Sequence, residues 1–144
     1  MDEFAGHGQG LAQTFISTVG SRDPAGWAAM FTEDATYLTP DRPDAFQGRP
    51  ALKAMAETLF TAIPDMVFMV RSITEQGNVV VLEGATKGTF TGPMRTDAGE
   101  VPPTGKSYET PFAAVFEVTD AGLIKACREY YDTAAFATQL GLAG

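Results

Sequence analysis

Histidine and cysteine are almost missing from this chain: each occurs once, as His7 and Cys127. A single cysteine excludes an internal disulfide, and with one histidine beside it a soft transition-metal site has too few ligands, so no metal is expected. The lone thiol also suits a reducing compartment, and the cytoplasm is the expected location. Basic residues are scarce too. Ten Lys and Arg against eighteen Asp and Glu leave a net charge of −8, which repels phosphate backbones and anionic lipid and argues against both as partners. No apolar run is long enough to span a bilayer, and Met1–Gly10 lacks the basic-then-apolar order of a signal peptide. His7 lies in that glycine-rich start and is given no role. Repeats, low-complexity tracts and linkers are absent as well, so residues 1–144 read as one domain; at 144 residues and 44% hydrophobic content it has apolar material for a single core.

What is present falls into two blocks, helices and then strands. Leu11, Phe15, Ile16 and Val19 recur at helical spacing. Asp23-Pro24 reads as an N-cap with proline at the first helical position, followed by Trp27, Met30 and Phe31 on one face. A brief strand over 35–38 ends in the turn-rich Thr39-Pro-Asp-Arg-Pro-Asp. A third helix opens near Gly48-Arg49-Pro50, carries Leu52, Met55, Ala56, Leu59, Phe60 and Ile63 on one stripe, and stops at Pro64. From Asp65 the period changes to two, and long strands are expected over 66–74, 78–91, 107–119 and 123–132. The Gly- and Pro-rich stretch 92–105 is too long for a tight turn and is expected to fold over a cavity mouth.

Alternation sorts the strand residues by face. Tyr108, Thr110, Phe112, Ala114, Phe116 and Val118 are nearly all apolar, so the even-numbered side of that strand faces inward. The same parity on the other strands gathers Phe90, Phe112, Phe116, Arg128, Tyr130 and Asp132 inside, with Trp27 and Tyr37 as further candidate lining. Asp132 stands where the last strand runs out and a helix over 133–140 closes above it. A carboxylate held among aromatics there would have its pKa raised toward working pH, as an acid/base needs. The plain alternative is that Asp132 helps to cap the helix beside Thr133. Arg128, about 13 Å along the strand from Asp132 at ~3.3 Å per residue, needs an acidic partner of its own, with a structural salt bridge ahead of a ligand group. Cys127, by the same parity, points outward.

Four stretches, taken in order, resemble the SnoaL-like polyketide cyclases, a branch of the nuclear transport factor two-like, ketosteroid-isomerase-like cone fold. They are Phe46-Gln-Gly48-Arg49 leading to Ile63-Pro64-Asp65; Gly88-Thr-Phe-Thr-Gly92; Pro103-Thr-Gly-Lys106; and Tyr131-Asp132 followed by Gln139-Leu-Gly141. The resemblance implies an α+β architecture: a cone-shaped, curved antiparallel sheet, three N-terminal helices on its concave face and a short C-terminal helix. It also implies a cofactor-free aldol ring closure or isomerisation on a lipophilic carbonyl compound, with an acidic residue of the last strand as acid/base; by position that residue matches Asp132. Phe90 stands where many relatives place a histidine. Tyr130, Arg128, Trp27, Tyr37, Phe90, Phe112 and Phe116 are the expected substrate-binding residues.

Two other readings share the fold. One is a binding domain without chemistry, in which the pocket merely holds a small ligand. The other is an enzyme resembling the epoxide hydrolases, for which Arg95-Thr96-Asp97 has the required spacing but falls in the 92–105 loop. The uncovered face of the sheet, with Val67, Met69, Ile73, Val79, Val81, Ala113, Val115 and Cys127 among scattered charges, suggests a homodimer packed sheet against sheet.

Overall fold

The computed structural model describes residues 3–142, with side chains from Gly10 onward, so the His7 side chain lies outside the described residues. Helix α1 spans Glu3–Gly20 and buries Ala12, Phe15 and Val19 along one stripe. It ends where Arg22 takes a left-handed backbone (φ 56°) and its guanidinium donates to the carbonyls of Val19, Gly20 and Pro64. These bonds satisfy helix-terminal carbonyls and tie the end of α1 to the chain just past the third helix. Helix α2, Pro24–Ala28, is capped by Asp23, whose carboxylate accepts from the Gly26 amide at 2.9 Å. It is shorter than its apolar spacing suggests, because Phe31 already opens strand β1, Phe31–Leu38. After the two-residue strand β2, Phe46–Gln47, helix α3 runs Arg49–Ala62 and buries Leu52, Ala56 and Phe60.

The remaining strands are β3 (Val67–Gln76), β4 (Val79–Thr89), β5 (Met94–Thr96), β6 (Gly99–Val101), β7 (Ser107–Val118) and β8 (Ile124–Tyr131), followed by helix α4, Thr133–Gln139. Six of the strands form one sheet in the order β2-β1-β8-β7-β4-β3, and β5-β6 is a separate hairpin. All pairs are antiparallel except β1 with β8, so the sheet is mixed. Helix α1 packs on the edge strand β3 while α3 packs on β1 and β2 at the opposite edge. Both edges reach the same layer of helices only because the sheet curls around it. Inside that curl Phe15 meets Phe68 and Phe116 at ring distances of 5.0 and 5.6 Å, and Phe68 meets Phe112 at 4.8 Å.

Two bulges correct the expected parity. In β3 the pairing passes from Val70↔Gly84 to Ser72↔Glu83, leaving Arg71 as an extra residue. In β8 it passes from Val118↔Ile124 to Glu117↔Ala126, leaving Lys125 extra. Each extra residue flips the faces of everything beyond it. Ile73 and Cys127, expected outside, therefore turn inward, and Cys127 is 1% exposed. Arg128, Tyr130 and Asp132, expected inside, do not enter the interior. The outer face keeps Val67, Met69, Val79, Val81, Ala113 and Val115, joined by Tyr130 at 53% exposure. There Arg128 finds Glu117 at 2.6 Å, a structural ion pair as expected.

Gly84 sits opposite the first bulge, where a Cβ would lie 2.0 Å from the Met69 carbonyl oxygen. Gly84→Ala should therefore lower stability by ~2 kcal/mol or more in urea unfolding, as overpacking against backbone does. Gly20→Ala, which meets open space at a helix end, should be neutral or stabilising by up to ~1 kcal/mol.

Candidate functional site

The helices do not fill the curl completely. Between them and the sheet lies a cavity of about 580 Å³, walled by apolar side chains from α1, α3 and β3 and reaching Trp27, Tyr37, Glu129 and Tyr131. That size falls within the range of ordinary small-molecule pockets. Its one inward-facing carboxylate on the sheet is Glu129, and the β8 bulge is what aims it there. Past Lys125 the residues paired with inward Phe116, Ala114 and Phe112 are Cys127, Glu129 and Tyr131.

Tyr37 donates its phenolic hydrogen to Glu129 Oε2. The tyrosine itself is locked, 2% exposed, with its ring 5.4 Å from Trp27 and 5.8 Å from Phe31. Burial pushes the Glu129 carboxyl up to about 7, the Tyr37 hydrogen bond opposes the rise, and the nearby Asp41 charge adds to it. Asp41 is held by the Thr39 hydroxyl at 2.5 Å. Burial, and then the Glu129 charge, keep Tyr37 well above the usual phenol range, so it remains a donor. Cys127, paired with Tyr37 across the parallel strands, is likewise raised by burial and stays an inert thiol.

The mouth is polar. The hairpin β5-β6, in the stretch expected to cover a cavity, places Met94, Arg95, Thr96 and Asp97 at its rim. The β1–β2 connection adds Asp41 and Arg42, the guanidinium lying 4.1 Å over the Phe46 ring. Arg95 and Asp97 thus do approach the pocket. Among the described residues no group of three or more His, Cys, Asp or Glu is arranged to hold a metal, and no helix is long and apolar enough to cross a membrane.

Of the residues singled out from the sequence, Trp27 and Tyr37 line the cavity. Phe90, Phe112 and Phe116 are buried but belong to the packed core beside it. Arg128 and Tyr130 lie on the outer face. Asp132 is exposed and forms the N-cap of α4, accepting from the Ala135 amide at 3.0 Å; the capping alternative describes its position. Glu129 was missed because an unbroken period of two was carried through the bulge. One signal could have found it: Cys127 is a more probable inward residue than Arg128, and parity taken from Cys127 brings in Glu129 and Tyr131.

Comparison with known proteins agrees with this architecture. The sequence profile of the SnoaL-like domain family matches residues 12–127. Among solved structures, a candidate SnoaL-like polyketide cyclase from a Jannaschia species superposes with a TM-score of 0.79 at 21% identity, covering 96% of this chain and 93% of that one. A protein of ketosteroid isomerase-like fold from Catenulispora acidiphila, in complex with trimethylamine, gives 0.75 at 17% identity over 92% of each chain. The epoxide hydrolase/cyclase-like enzyme SalBIII, of pyran ring formation in the polyether salinomycin, gives 0.76 at 20% identity, covering 94% of this chain and 97% of its own. At such identities the likeness establishes the fold.

The raised Glu129 carboxyl has a consequence for stability. Between its ordinary value of 4.5 and about 7 the folded chain keeps a proton that the unfolded chain has lost. Stability therefore falls as pH rises through that window, by ~3 kcal/mol at ~1.4 kcal/mol per decade. Glu129→Gln removes the titration, so relative to the wild type it should gain about that much between about pH 4.5 and pH 8 in denaturant titrations. A stability difference between the two proteins that does not change with pH would refute the raised value.

Proposed function

We propose an activity from one premise: the chain belongs to the SnoaL-like domain family. The activity is acid/base chemistry on a lipophilic carbonyl compound, an intramolecular aldol cyclisation or a related isomerisation, with Glu129 as the acid/base. The observation that carries it is the Glu129 carboxylate, raised to about 7, on the wall of a largely apolar cavity large enough for a ring-sized ligand. The Glu129 carboxylate removes a proton from a carbon α to a carbonyl and the electron pair passes to the carbonyl oxygen as an enolate. The enolate carbon then bonds to a second carbonyl carbon of the same molecule. The resulting alkoxide recovers the proton from the Glu129 acid, so the step balances without a cofactor. Tyr37 is a positioning residue here: its hydrogen bond fixes one carboxylate oxygen and leaves the other directed at the ligand.

A second reading draws on the rim. Arg95 and Asp97 line the same cavity as Glu129, a guanidinium and two carboxylates being groups with which a water could be directed at an epoxide. Assays on a panel of linear polyketide esters, enolisable ketones and terpenoid epoxides separate the readings. On the carbonyl compounds Glu129→Gln should lower kcat by ~100-fold or more, while Asp132→Asn stays within about threefold of wild type. Wild-type kcat should rise with pH through about 7, because the carboxylate is the working form. Turnover retained by Glu129→Gln would reject its role, and ligand binding without turnover would favour a non-catalytic binding domain.

The outer sheet face supports a homodimer. Its apolar residues are interspersed with both signs of charge, Arg71 near Glu83 at 3.8 Å and Arg128 on Glu117, a pattern that can meet its own two-fold copy. Light scattering at micromolar concentration should give twice the 15.3 kDa of one chain, and Val115→Lys should shift the population toward monomer. A wild-type mass of one chain would refute the assembly.

A further inference from the structure

We infer that Tyr131 is a second catalytic residue, whose phenol donates a hydrogen bond to the carbonyl oxygen of a ligand whose α-proton faces Glu129. The inference rests on the acid/base reading of Glu129 and adds the group that would receive the developing negative charge.

The chain has four tyrosines. Tyr37 donates to Glu129. Tyr108 shares a hydrogen bond with the Thr86 hydroxyl at 2.8 Å. Tyr130 stands on the outer face, 53% exposed. Tyr131 remains: it is half-buried, lines the cavity, and among the described residues its hydroxyl makes no hydrogen bond. The Tyr131 hydroxyl is not a buried orphan, since Thr110 Oγ1 alone is that among the described residues; it opens into the cavity unclaimed by the protein, so a ligand oxygen can accept from it in place of water.

Its placement relative to Glu129 suits the reaction. The two residues lie on the same face of β8 and are two positions apart, ~6.6 Å at ~3.3 Å per residue. Side chains at that spacing on one wall can meet the same small ligand, the α-carbon of an enolisable C–C=O unit toward Glu129 and its oxygen toward Tyr131. Burial raises the Tyr131 phenol above its ordinary range, which keeps the proton available for donation. The ring is also held from behind. Phe136 of α4 meets it edge-on at 5.9 Å, its backbone pairs with Phe112 of β7, and Asp132 caps the helix that carries Phe136. The exposed Asp132 thus supports the site through α4 without touching the cavity. Donors fixed in advance at a developing oxyanion are worth about a hundredfold or more in rate.

Para-nitrophenol is a suitable probe, since its phenolate oxygen imitates an enolate oxygen and its absorbance reports ionisation. At about pH 6, where Glu129 is mostly protonated and does not repel an anion, titrations would follow four proteins. Tyr131→Phe should bind the probe at least tenfold more weakly than wild type and shift the bound probe's ionisation toward higher pH. Tyr130→Phe, on the outer face, should bind as wild type does. Glu129→Gln, which imitates the protonated acid, should retain binding. Thermal melts of Tyr131→Phe should match wild type, because the ring contact with Phe136 survives. If Tyr131→Phe binds the probe as tightly as wild type, the Tyr131 assignment is overturned while the Glu129 reading stands. Failure of the Glu129 reading would appear separately, as undiminished turnover in Glu129→Gln. A wild-type cavity that excludes the probe at millimolar concentration overturns both.

Discussion

The hydrogen bond from the Tyr37 phenol to the Glu129 carboxylate is the interaction around which the interior is organised. It joins β1 to β8 across the only parallel pair among the described strands. A carboxylate set in an apolar wall with no partner would be strongly disfavoured as an anion. One held by several donors would be an ordinary acid with a low pKa. A single donor, with Asp41 nearby, leaves Glu129 between these limits and near neutrality. The aromatic group of Trp27, Phe31 and Tyr37 keeps that donor from turning to another acceptor.

The cavity is divided accordingly. Its depth is largely apolar, formed by helix stripes and the packed phenylalanines beside them. Its mouth is polar and built from short elements, the β5-β6 hairpin and the β1–β2 connection. Such a division orients an amphipathic ligand, apolar body inward. Helix α4 adds a third element at the end of β8, where its short length would leave it unstable alone. It is held by the Asp132 cap, by Phe136 between Tyr108 and Tyr131, and by the Thr104 hydroxyl donating to the Leu140 carbonyl at 2.7 Å.

Membership of the SnoaL-like family explains the frame but not the position of the acid. Within that frame one inserted residue decides which side chain of the last strand enters the pocket. Without the bulge at Lys125, Arg128 and Tyr130 would face the helices and Glu129 would stand in solvent. Instead Arg128 is paired with Glu117 on the outer face, and the aromatic-aromatic-acid end of the strand is split. Tyr130 faces out, Tyr131 faces in, and Asp132 serves the next helix.

The sequence by itself determined the helix-then-strand order, the third helix with its stop at Pro64 and the four long strands. All of these are local: periodicity, caps and turn residues act within a few positions of each other. It also carried enough ordered motifs to identify the fold, and it placed Trp27 and Tyr37 correctly at the cavity. Which face each residue of β8 presents was decided by pairing with β7 and β1, where the bulge arises; the sequence marks it only through the odd spacing of two readily buried residues, Ile124 and Cys127. The environment of Glu129 was likewise beyond the sequence. Its pKa is set by burial, which raises it, and by a phenol ninety-two positions away, which opposes the rise, and neither exists until the chain has folded.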